Sequence, residues 1–150
     1  MSRPVARPRS RPILDGATLR LGEHEVPLRS GALHYWRLPK DHWRDALRQV
    51  KALGLPMVET YVPWGVHELE LRDGKPVFDF GERDPRRDLA GFLDLAAEEE
   101  LLVFVRPGPH INAELTGFGL PQRVLDDPEV QARSPRGNPV VLYFPPKMFA

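Results

Sequence analysis

Residues 41–62, DHWRDALRQVKALGLPMVETYV, contain the two signals that decide the predicted fold. In the first half, apolar side chains recur at the spacing of one helix face: Trp43, Ala46, Leu47, Val50 and Leu53. Asp41 is the predicted N-cap of this helix, and Gly54 stands where a glycine commonly ends a helix. The second half, residues 57–62 (MVETYV), is short and mostly apolar, and it predicts a strand. The stretch therefore predicts a helix over residues 41–53 that leads directly into a strand.

The same alternation continues on both sides of this stretch. Residues 28–36 (LRSGALHYW) predict a strand before the helix, and residues 88–100 predict a second helix further on. The apolar stripe of the second helix comprises Leu89, Phe92, Leu93, Ala96 and Ala97, while Glu98, Glu99 and Glu100 form a predicted solvated end. Residues 101–105 (LLVFV) are apolar throughout, which is typical of a parallel strand covered on both faces. Alternating strands and helices predict an α/β fold with a parallel sheet and right-handed crossovers.

Turn signals organise the remaining segments. Asp73-Gly74 lies between two alternating runs in residues 69–80 and predicts a β-hairpin. Weaker signals predict three further features: two extended pieces in residues 13–27 around turns at Asp15-Gly16 and 21–23, a short helix at 120–125, and a strand at 140–144.

Composition limits the classes of function. Residues 1–12 carry four arginines and no acid, so we expect a disordered Arg/Pro tail there. The remaining 138 residues carry 17 basic and 21 acidic side chains, a net charge of −4, which argues against nucleic-acid binding. No run is apolar enough to span a bilayer, and no secretory signal is recognised. The chain has no cysteine, which excludes disulfides and agrees with a cytoplasmic location.

Polar and aromatic residues collect towards and beyond the carboxyl ends of the three predicted parallel strands. The first strand runs into residues 34–37 (HYWR), the second into 59–64 (ETYVPW) and then His67-Glu68, and the third into 106–114 (RPGPHINAE). Ligands of parallel α/β folds bind at the carboxyl ends of the strands, so we expect these residues to line one cleft. Aromatic rings suit the apolar faces of sugars, and carboxylates accept hydrogen bonds from hydroxyls. The first hypothesis is therefore a carbohydrate site.

Each of these features has an alternative interpretation. Aromatic side chains that can equally pack in a core or along a rim are Tyr35, Trp36 and Trp64. The histidines and glutamates show no spacing such as H-E-x-x-H, so no metal site is predicted. Glu59 lies within a strand and is expected to be structural, and Arg106 can pair with a neighbouring carboxylate. A glycosidase pair formed by Glu59 and Glu114 is left open by spacing alone.

A series of short motifs runs through about residues 28–125: 30–37 (SGALHYWR), 53–55 (LGL), 58–64 (VETYVPW), His67-Glu68, 78–80 (FDF), 106–109 (RPGP), Ala113-Glu114 and 119–121 (GLP). In this order and at this spacing they resemble the N-terminal part of the catalytic barrel in glycoside hydrolase family 35 β-galactosidases. No single motif is specific, but together they are.

The resemblance implies a partial (β/α)8 barrel, of which residues 13–150 supply only the first three to four β/α units. It implies hydrolysis of terminal β-galactosides with retention of configuration and without an organic cofactor. The residues carried over as sugar-binding are Tyr61, Asn112, Ala113 and Glu114. The acid/base glutamate and the nucleophile belong to later strands of the family's barrel, and residues 121–150 match neither segment. We therefore expect an N-terminal fragment with an open sheet edge, no catalytic residue, and no turnover by the chain alone.

Six positions depart from the family pattern: Gly65, Leu69, His110, Asn112, Leu115 and Phe118 stand where Asn, Pro, Tyr, Cys, Trp and Gly are common. Four of them lie in or next to the predicted sugar-binding loop around residues 112–114 (the sugar loop), so another glycoside is an alternative to galactose. Two other functions stay open: a non-catalytic carbohydrate-binding remnant, and an interaction module that binds partners through its sheet edge without regard to sugars.

Overall fold

The computed structural model describes residues 11–16, 18–130 and 132–140. The chain falls into two compact units, the first comprising Met1–Thr60 and Phe80–Arg106, the second Tyr61–Asp79 and Pro107–Ala150. Most of the predicted tail, residues 1–10, lies outside the described part of the chain, as do residues 141–150.

In chain order the strands and α-helices are β1 (Ile13–Asp15), β2 (Thr18–Leu21), β3 (His24–Pro27), β4 (Ser30–Ala32), α1 (Trp43–Ala52), β5 (Met57–Val62), α2 (Trp64–His67), β6 (Glu68–Arg72), β7 (Lys75–Phe78), α3 (Leu89–Glu98), β8 (Leu102–Pro107), α4 (Gln122–Leu125), β9 (Ala132–Arg133) and β10 (Pro139–Val140). Short 3-10 turns cover Tyr35–Arg37, Lys40–His42, Pro85–Arg87 and Thr116–Gly119. None of the helices in the described ranges is long and apolar enough to cross a membrane.

A three-stranded sheet carries the predicted alternation of strands and helices. Its order is β4–β5–β8, and β4 runs parallel to β5 with Ser30 opposite Met57. The predicted strand at residues 28–36 is shorter in the structure, because a 3-10 turn after β4 carries Tyr35 into the core. The mixed α/β class is confirmed, and the sheets formed by the described residues are small, without closure into a barrel.

The first unit begins with an antiparallel meander of β1, β2 and β3. The sequence predicts two extended pieces in this region, and the structure has three strands. Both predicted turns occur, since Gly16 has φ 59° and Gly22 has φ 64°. These left-handed values suit glycine, which has no Cβ to clash with the backbone.

An aromatic cluster joins α1 and α3 in the core of the first unit. The ring of Phe92 lies 5.5 Å, centroid to centroid, from those of both Tyr35 and Trp43, and all three side chains are fully buried. The Trp43 indole N–H donates to the carbonyl of Tyr35 at 3.0 Å, so its burial leaves no donor unsatisfied. Burial also raises the pKa of Tyr35. The packing interpretation of Tyr35 is therefore confirmed.

Helix α1 agrees with the prediction at its face and its C-terminus. Its buried residues are Trp43, Leu47 and Val50. Gly54 has φ 74°, and its N–H donates to the Lys51 carbonyl at 2.9 Å, which ends the helix. Leu53, predicted on the apolar stripe, is 77% exposed because it already lies beyond the last helical residue. Asp41 is not the N-cap, because the 3-10 turn over Lys40–His42 leads directly into the helix.

Helix α3 is capped and ion-paired to α1. Asp88 is its N-cap, accepting from the Gly91 N–H at 2.8 Å, and also binds Lys40. The Lys40 ammonium and then the Gly91 N–H lower the pKa of the Asp88 carboxyl. The predicted solvated end is confirmed for Glu98 and Glu100, which are exposed, whereas the Glu99 side chain is only 12% exposed. What the sequence does not reveal is that these acids pair with bases of α1: Arg44 with Glu98 and Glu99, Arg48 with Glu99, and Lys51 with Glu100.

Strand β8 differs from the doubly covered strand predicted for residues 101–105. It ends the sheet order, and Phe104 and Val105 are 53% and 40% exposed. Phe104 also lines an apolar groove of about 450 Å³ together with Pro12, Leu14, Leu19, Leu28 and Met57. No further strand of the described residues pairs with β8, so within the described ranges it is an edge strand.

The predicted hairpin is confirmed in the second unit. Strands β6 and β7 pair antiparallel around Asp73 and Gly74, whose φ values of 51° and 74° suit a tight hairpin turn. At the hairpin base, the Asp79 N–H donates to the His67 carbonyl, and the His67 ring Nδ1–H donates to the Asp79 carbonyl, both at 2.9 Å. His67 and Asp79 are 2% and 1% exposed, so this paired base is buried.

The last described elements are short. Helix α4 covers four residues within the predicted range 120–125. Strand β10 pairs antiparallel with β9 and begins one residue before the strand predicted at 140–144, of which residues 141–144 lie outside the described part of the chain.

The aromatic cluster makes a stability prediction. Phe92→Ala removes the ring that contacts both Tyr35 and Trp43, so we expect it to lower the free energy of unfolding by about 3–5 kcal/mol. Urea unfolding followed by tryptophan fluorescence measures this loss. Phe104→Ala is the matched control, because an exposed phenylalanine leaves no cavity when truncated. Equal losses in the two variants would contradict the assigned core.

Candidate functional site

A backbone hydrogen bond joins the end of β5 to the segment that follows β8. The Gly108 N–H donates to the Val62 carbonyl at 3.3 Å. Tyr61, which is half-buried, directly precedes Val62 in β5. Asn112, Ala113 and Glu114 follow Gly108 by four to six residues. All four predicted sugar-binding residues therefore lie in the second unit, on two segments that this bond connects.

Residues 112–114 occupy the first half of a closed loop. The Ile111 N–H donates to the Phe118 carbonyl at 2.9 Å, which brings the two ends of the loop together. Ile111 is 2% exposed and anchors the loop. Asn112 and Glu114 are exposed, whereas Ala113 is half-buried. The loop thus presents an amide and a carboxylate to solvent from a backbone that is fixed at both ends.

The loop backbone adopts left-handed conformations at several residues. Glu114 has φ 53°, and Gly117, Phe118 and Gly119 have φ 58°, 56° and 77°. This conformation costs a residue with a side chain about 1–2 kcal/mol. For Phe118, stacking on His110 (ring centroids 4.5 Å apart, planes at 25°) contributes about 0.5–1.5 kcal/mol in compensation. Strain of this kind is retained where the surroundings hold it, and it concentrates at functional sites.

The structure connects the predicted site residues through the backbone. Tyr61 lies near the end of β5, and the loop carrying Asn112, Ala113 and Glu114 begins at Ile111, three residues after the Gly108 N–H that bonds to β5. The sequence identifies these residues by motif, and their role in binding a sugar stays a prediction.

A second polar cluster surrounds Glu68, and its main partner, Arg123, was not among the residues predicted from the sequence. Arg123 donates two hydrogen bonds to the Glu68 carboxylate, at 2.6 and 2.9 Å, and the Trp64 indole N–H donates a third at 2.6 Å. The guanidinium carbon also lies 5.1 Å from the Trp64 ring centroid. The Arg123 hydrogen bond is the main cause of the lowered pKa of Glu68, whose side chain is only 4% exposed. The only local indication of this cluster in the sequence is the four-residue spacing between Trp64 and Glu68, which brings the indole N–H within reach of the carboxylate.

The cluster borders a cleft of about 320 Å³. Its lining residues are Gly65, Leu120 and Pro121 together with 68–71 and 122–123. The Glu68 carboxylate and the Arg123 guanidinium satisfy each other at the edge of this cleft, so the pair serves first to hold α4 against the base of the hairpin.

No metal centre is formed by the residues in ranges 11–16, 18–130 and 132–140: no three His, Asp or Glu side chains come close enough to hold an ion. The ring of His67 hydrogen-bonds the Asp79 carbonyl, and Glu68 is bound by Arg123. These two residues therefore have structural partners.

The predicted candidates that lie in the first unit contact one another. Arg106 lies 3.7 Å from the Glu59 carboxylate, which confirms the predicted pairing of Arg106 with a neighbouring acid. The ring of His34 stacks on Trp36 with centroids 5.5 Å apart, and the Arg37 guanidinium lies 4.6 Å from the Trp36 ring centroid. Burial, followed by the positive charge of Arg37, lowers the pKa of His34.

Gly65 allows a close backbone approach within the second unit. A Cβ at this position would lie 2.8 Å from the carbonyl oxygen of Leu120 and 3.2 Å from that of Gly119. Helix α2 and the segment after the sugar loop can therefore approach this closely only because residue 65 has no side chain. Gly65 is one of the six departures identified in the sequence, and the structure gives it a steric reason.

Comparison with known proteins agrees with the motifs. The model of glycosyl hydrolases family 35 matches residues 18–139. An exo-β-D-glucosaminidase of Pyrococcus horikoshii is 42% identical over 135 residues, covering 88% of this chain and 17% of the relative. The human β-galactosidase-1-like protein 2 is 45% identical over 104 residues, covering 69% of this chain and 15% of the relative.

A β-1,2-glucosyltransferase of Ignavibacterium album is 43% identical over 97 residues, covering 64% of this chain and 13% of the relative. The chain thus spans less than a fifth of the length of each of these curated relatives.

The close approach at Gly65 can be tested by adding one methyl group. Gly65→Ala is expected to lower the free energy of unfolding by about 1–3 kcal/mol, because the Leu120 carbonyl is backbone and must shift. Urea unfolding measures the change. In the control Gly108→Ala, the new Cβ has no neighbour nearer than 3.8 Å, so its effect should be smaller. A Gly65→Ala variant as stable as the wild type contradicts the close approach.

Proposed function

Because the chain belongs to glycosyl hydrolase family 35, we propose that it supplies the first three to four β/α units of a (β/α)8 barrel and part of that barrel's sugar-binding pocket. We infer from its family membership that the chain is part of a glycoside hydrolase. The substrate of that enzyme is a glycoside with a terminal β-linked galactose or a closely related sugar.

The connection between β5 and the loop after β8 is the observation that carries this proposal. A sugar ring held by several hydroxyls needs polar groups from more than one segment. The Gly108 to Val62 hydrogen bond keeps Tyr61 and the loop of Asn112–Glu114 on adjoining backbone. In a parallel α/β fold this is the strand end at which ligands bind.

Each proposed binding residue has a chemical role. The Glu114 carboxylate accepts hydrogen bonds from two sugar hydroxyls, and a charged acceptor makes these bonds stronger than neutral ones. The Asn112 amide can donate and accept, while Tyr61 offers a ring face and a hydroxyl. Ala113 is small enough for the sugar to approach the backbone.

Binding alone does not break a glycosidic bond. Retaining hydrolysis needs a proton-donating carboxyl and a nucleophilic carboxylate roughly 5–5.5 Å apart. In the family's barrel both are expected on later strands, and residues 121–150 match neither segment. We therefore assign Glu114 to substrate binding and expect residues 1–150 alone to bind a sugar without hydrolysing it.

The amino group separates the two sugars suggested by the relatives' names. A glucosaminide carries an ammonium group at mildly acidic pH, which a carboxylate binds as an ion pair. A galactoside is neutral, so its affinity should not depend on ionic strength. Salt dependence therefore distinguishes the substrate classes at one and the same site.

Sugar binding can be tested at the Glu114 carboxylate. Glu114→Gln is expected to weaken binding of methyl β-D-galactoside at least about tenfold, because a hydrogen bond to a charged group is lost. Calorimetric titration at low and high NaCl, repeated with methyl β-D-glucosaminide, measures affinity and its salt dependence.

Glu129→Gln is the matched control, since Glu129 is also an exposed carboxylate of the second unit. Stronger binding of the glucosaminide that fades with NaCl would assign the site to the amino sugar. If neither glycoside binds while the chain self-associates, the sheet-edge interaction module is favoured instead.

The expected absence of turnover by residues 1–150 can be tested with a chromogenic galactoside. The wild-type chain and Glu114→Gln should release p-nitrophenol from p-nitrophenyl β-D-galactoside at the same rate as buffer, because proton transfer and covalent capture both lack their carboxylates. An absorbance assay at high protein concentration measures this. Hydrolysis by the wild type clearly above that by Glu114→Gln would overturn the expectation that residues 1–150 alone show no turnover.

A further inference from the structure

Two aromatic side chains border the loop that carries Asn112, Ala113 and Glu114. His110 directly precedes this loop, and Phe118 ends it. Their rings stack with centroids 4.5 Å apart and planes at 25°. The two ends of the loop are therefore held together through side chains as well as through the backbone.

The backbone contacts also converge on Phe118. Its carbonyl accepts from the Ile111 N–H at 2.9 Å, and its own N–H donates to the Leu115 carbonyl at 3.0 Å. Ile111 is 2% exposed, so the start of the loop is anchored in the interior of the second unit. A change at Phe118 consequently reaches both the stack and the hydrogen bonds that close the loop.

The back of the loop is packed as tightly as its ends. A Cβ added at Gly117 would collide with the Cδ1 atom of Leu125, so the loop rests directly against α4. Phe118 follows in a left-handed conformation, with φ 56° and ψ 27°, which side chains seldom adopt. Its unusual backbone is thus held by the His110 stack on one side and by close packing of its neighbour on the other.

We propose that His110 and Phe118 form a loop clamp that sets the backbone of Asn112–Glu114 and thereby the affinity for sugar, an inference that rests on the proposed function. Asn112 and Glu114 are exposed, and exposed side chains lose rotational freedom when they bind a ligand. A loop that is already closed at both ends reduces the backbone part of this cost. His110 and Phe118 are positioning residues, because they act through the loop.

A double-mutant cycle on the full chain tests the clamp. Phe118→Leu and His110→Ala are each expected to weaken methyl β-D-galactoside binding about two- to tenfold, which corresponds to the loss of one aromatic pair. The double variant should lose little more than either single variant, because both changes remove the same contact. The conservative variants Phe118→Tyr and His110→Phe keep a stacked pair and should retain wild-type affinity.

Amide hydrogen exchange gives a readout that does not require sugar. The Ile111 amide, which donates to Phe118, should exchange faster in Phe118→Leu and His110→Ala and at the wild-type rate in Phe118→Tyr. Phe104→Leu, at an exposed phenylalanine outside the loop, is the control for a general loss of stability. If Phe118→Leu fails to fold, the His110→Ala and His110→Phe pair carries the same comparison.

The outcomes separate the clamp from the proposed function. A wild-type chain that binds galactoside, with Phe118→Leu and His110→Ala binding equally well, overturns the clamp and leaves the proposed function intact. Strictly additive losses in the double variant also overturn it, because they show two independent contributions. A wild-type chain that binds neither galactoside nor glucosaminide overturns the proposed function, and the clamp with it.

Discussion

The parallel pairing of β4 with β5 is the constraint on which the first unit depends. Two parallel strands cannot be joined by a tight turn, so the chain between them must cross over, and α1 is that crossover. A crossover helix is stable only when its apolar face is covered. Trp43 is buried against Tyr35 and against Phe92 of α3, which connects the first crossover to the second.

Elements governed by local periodicity could be predicted from the sequence. The face of α1, its end at Gly54, strand β5 and the Asp73-Gly74 hairpin each depend on residues close together in the chain. Features governed by contacts between distant segments could not. The acids at the end of α3 lie beside the bases of α1, some 50 residues earlier, and no spacing within one helix reveals such a pairing.

The predictions that strand β8 is covered on both faces and that Asp41 is an N-cap are wrong for related reasons. An all-apolar run indicates that a strand can be covered on both faces, but coverage depends on other elements, and Phe104 and Val105 remain exposed among the described residues. A short polar residue before a helix is an N-cap only if the helix begins at the next residue. A preceding 3-10 turn moves the start of α1 to Trp43, which removes Asp41 from that position.

The candidate site shows the same division. Motif order identifies Tyr61, Asn112, Ala113 and Glu114, but nothing in their local pattern reveals a loop closed by Ile111 and Phe118. The left-handed Phe118 could not be foreseen, since propensity argues against a bulky residue in that conformation. Arg123 was missed because its partner Glu68 lies 55 residues away.

The buried pairing of His67 with Asp79 has a consequence for how this segment can vary. Two reciprocal hydrogen bonds join His67, directly before β6, to Asp79, directly after β7, and they hold the base of the hairpin from within the protein interior. The hairpin therefore projects from a buried base and ends in an exposed turn at Asp73-Gly74. Evolution or engineering can insert, delete or replace residues at this turn while the pairing at the base is retained.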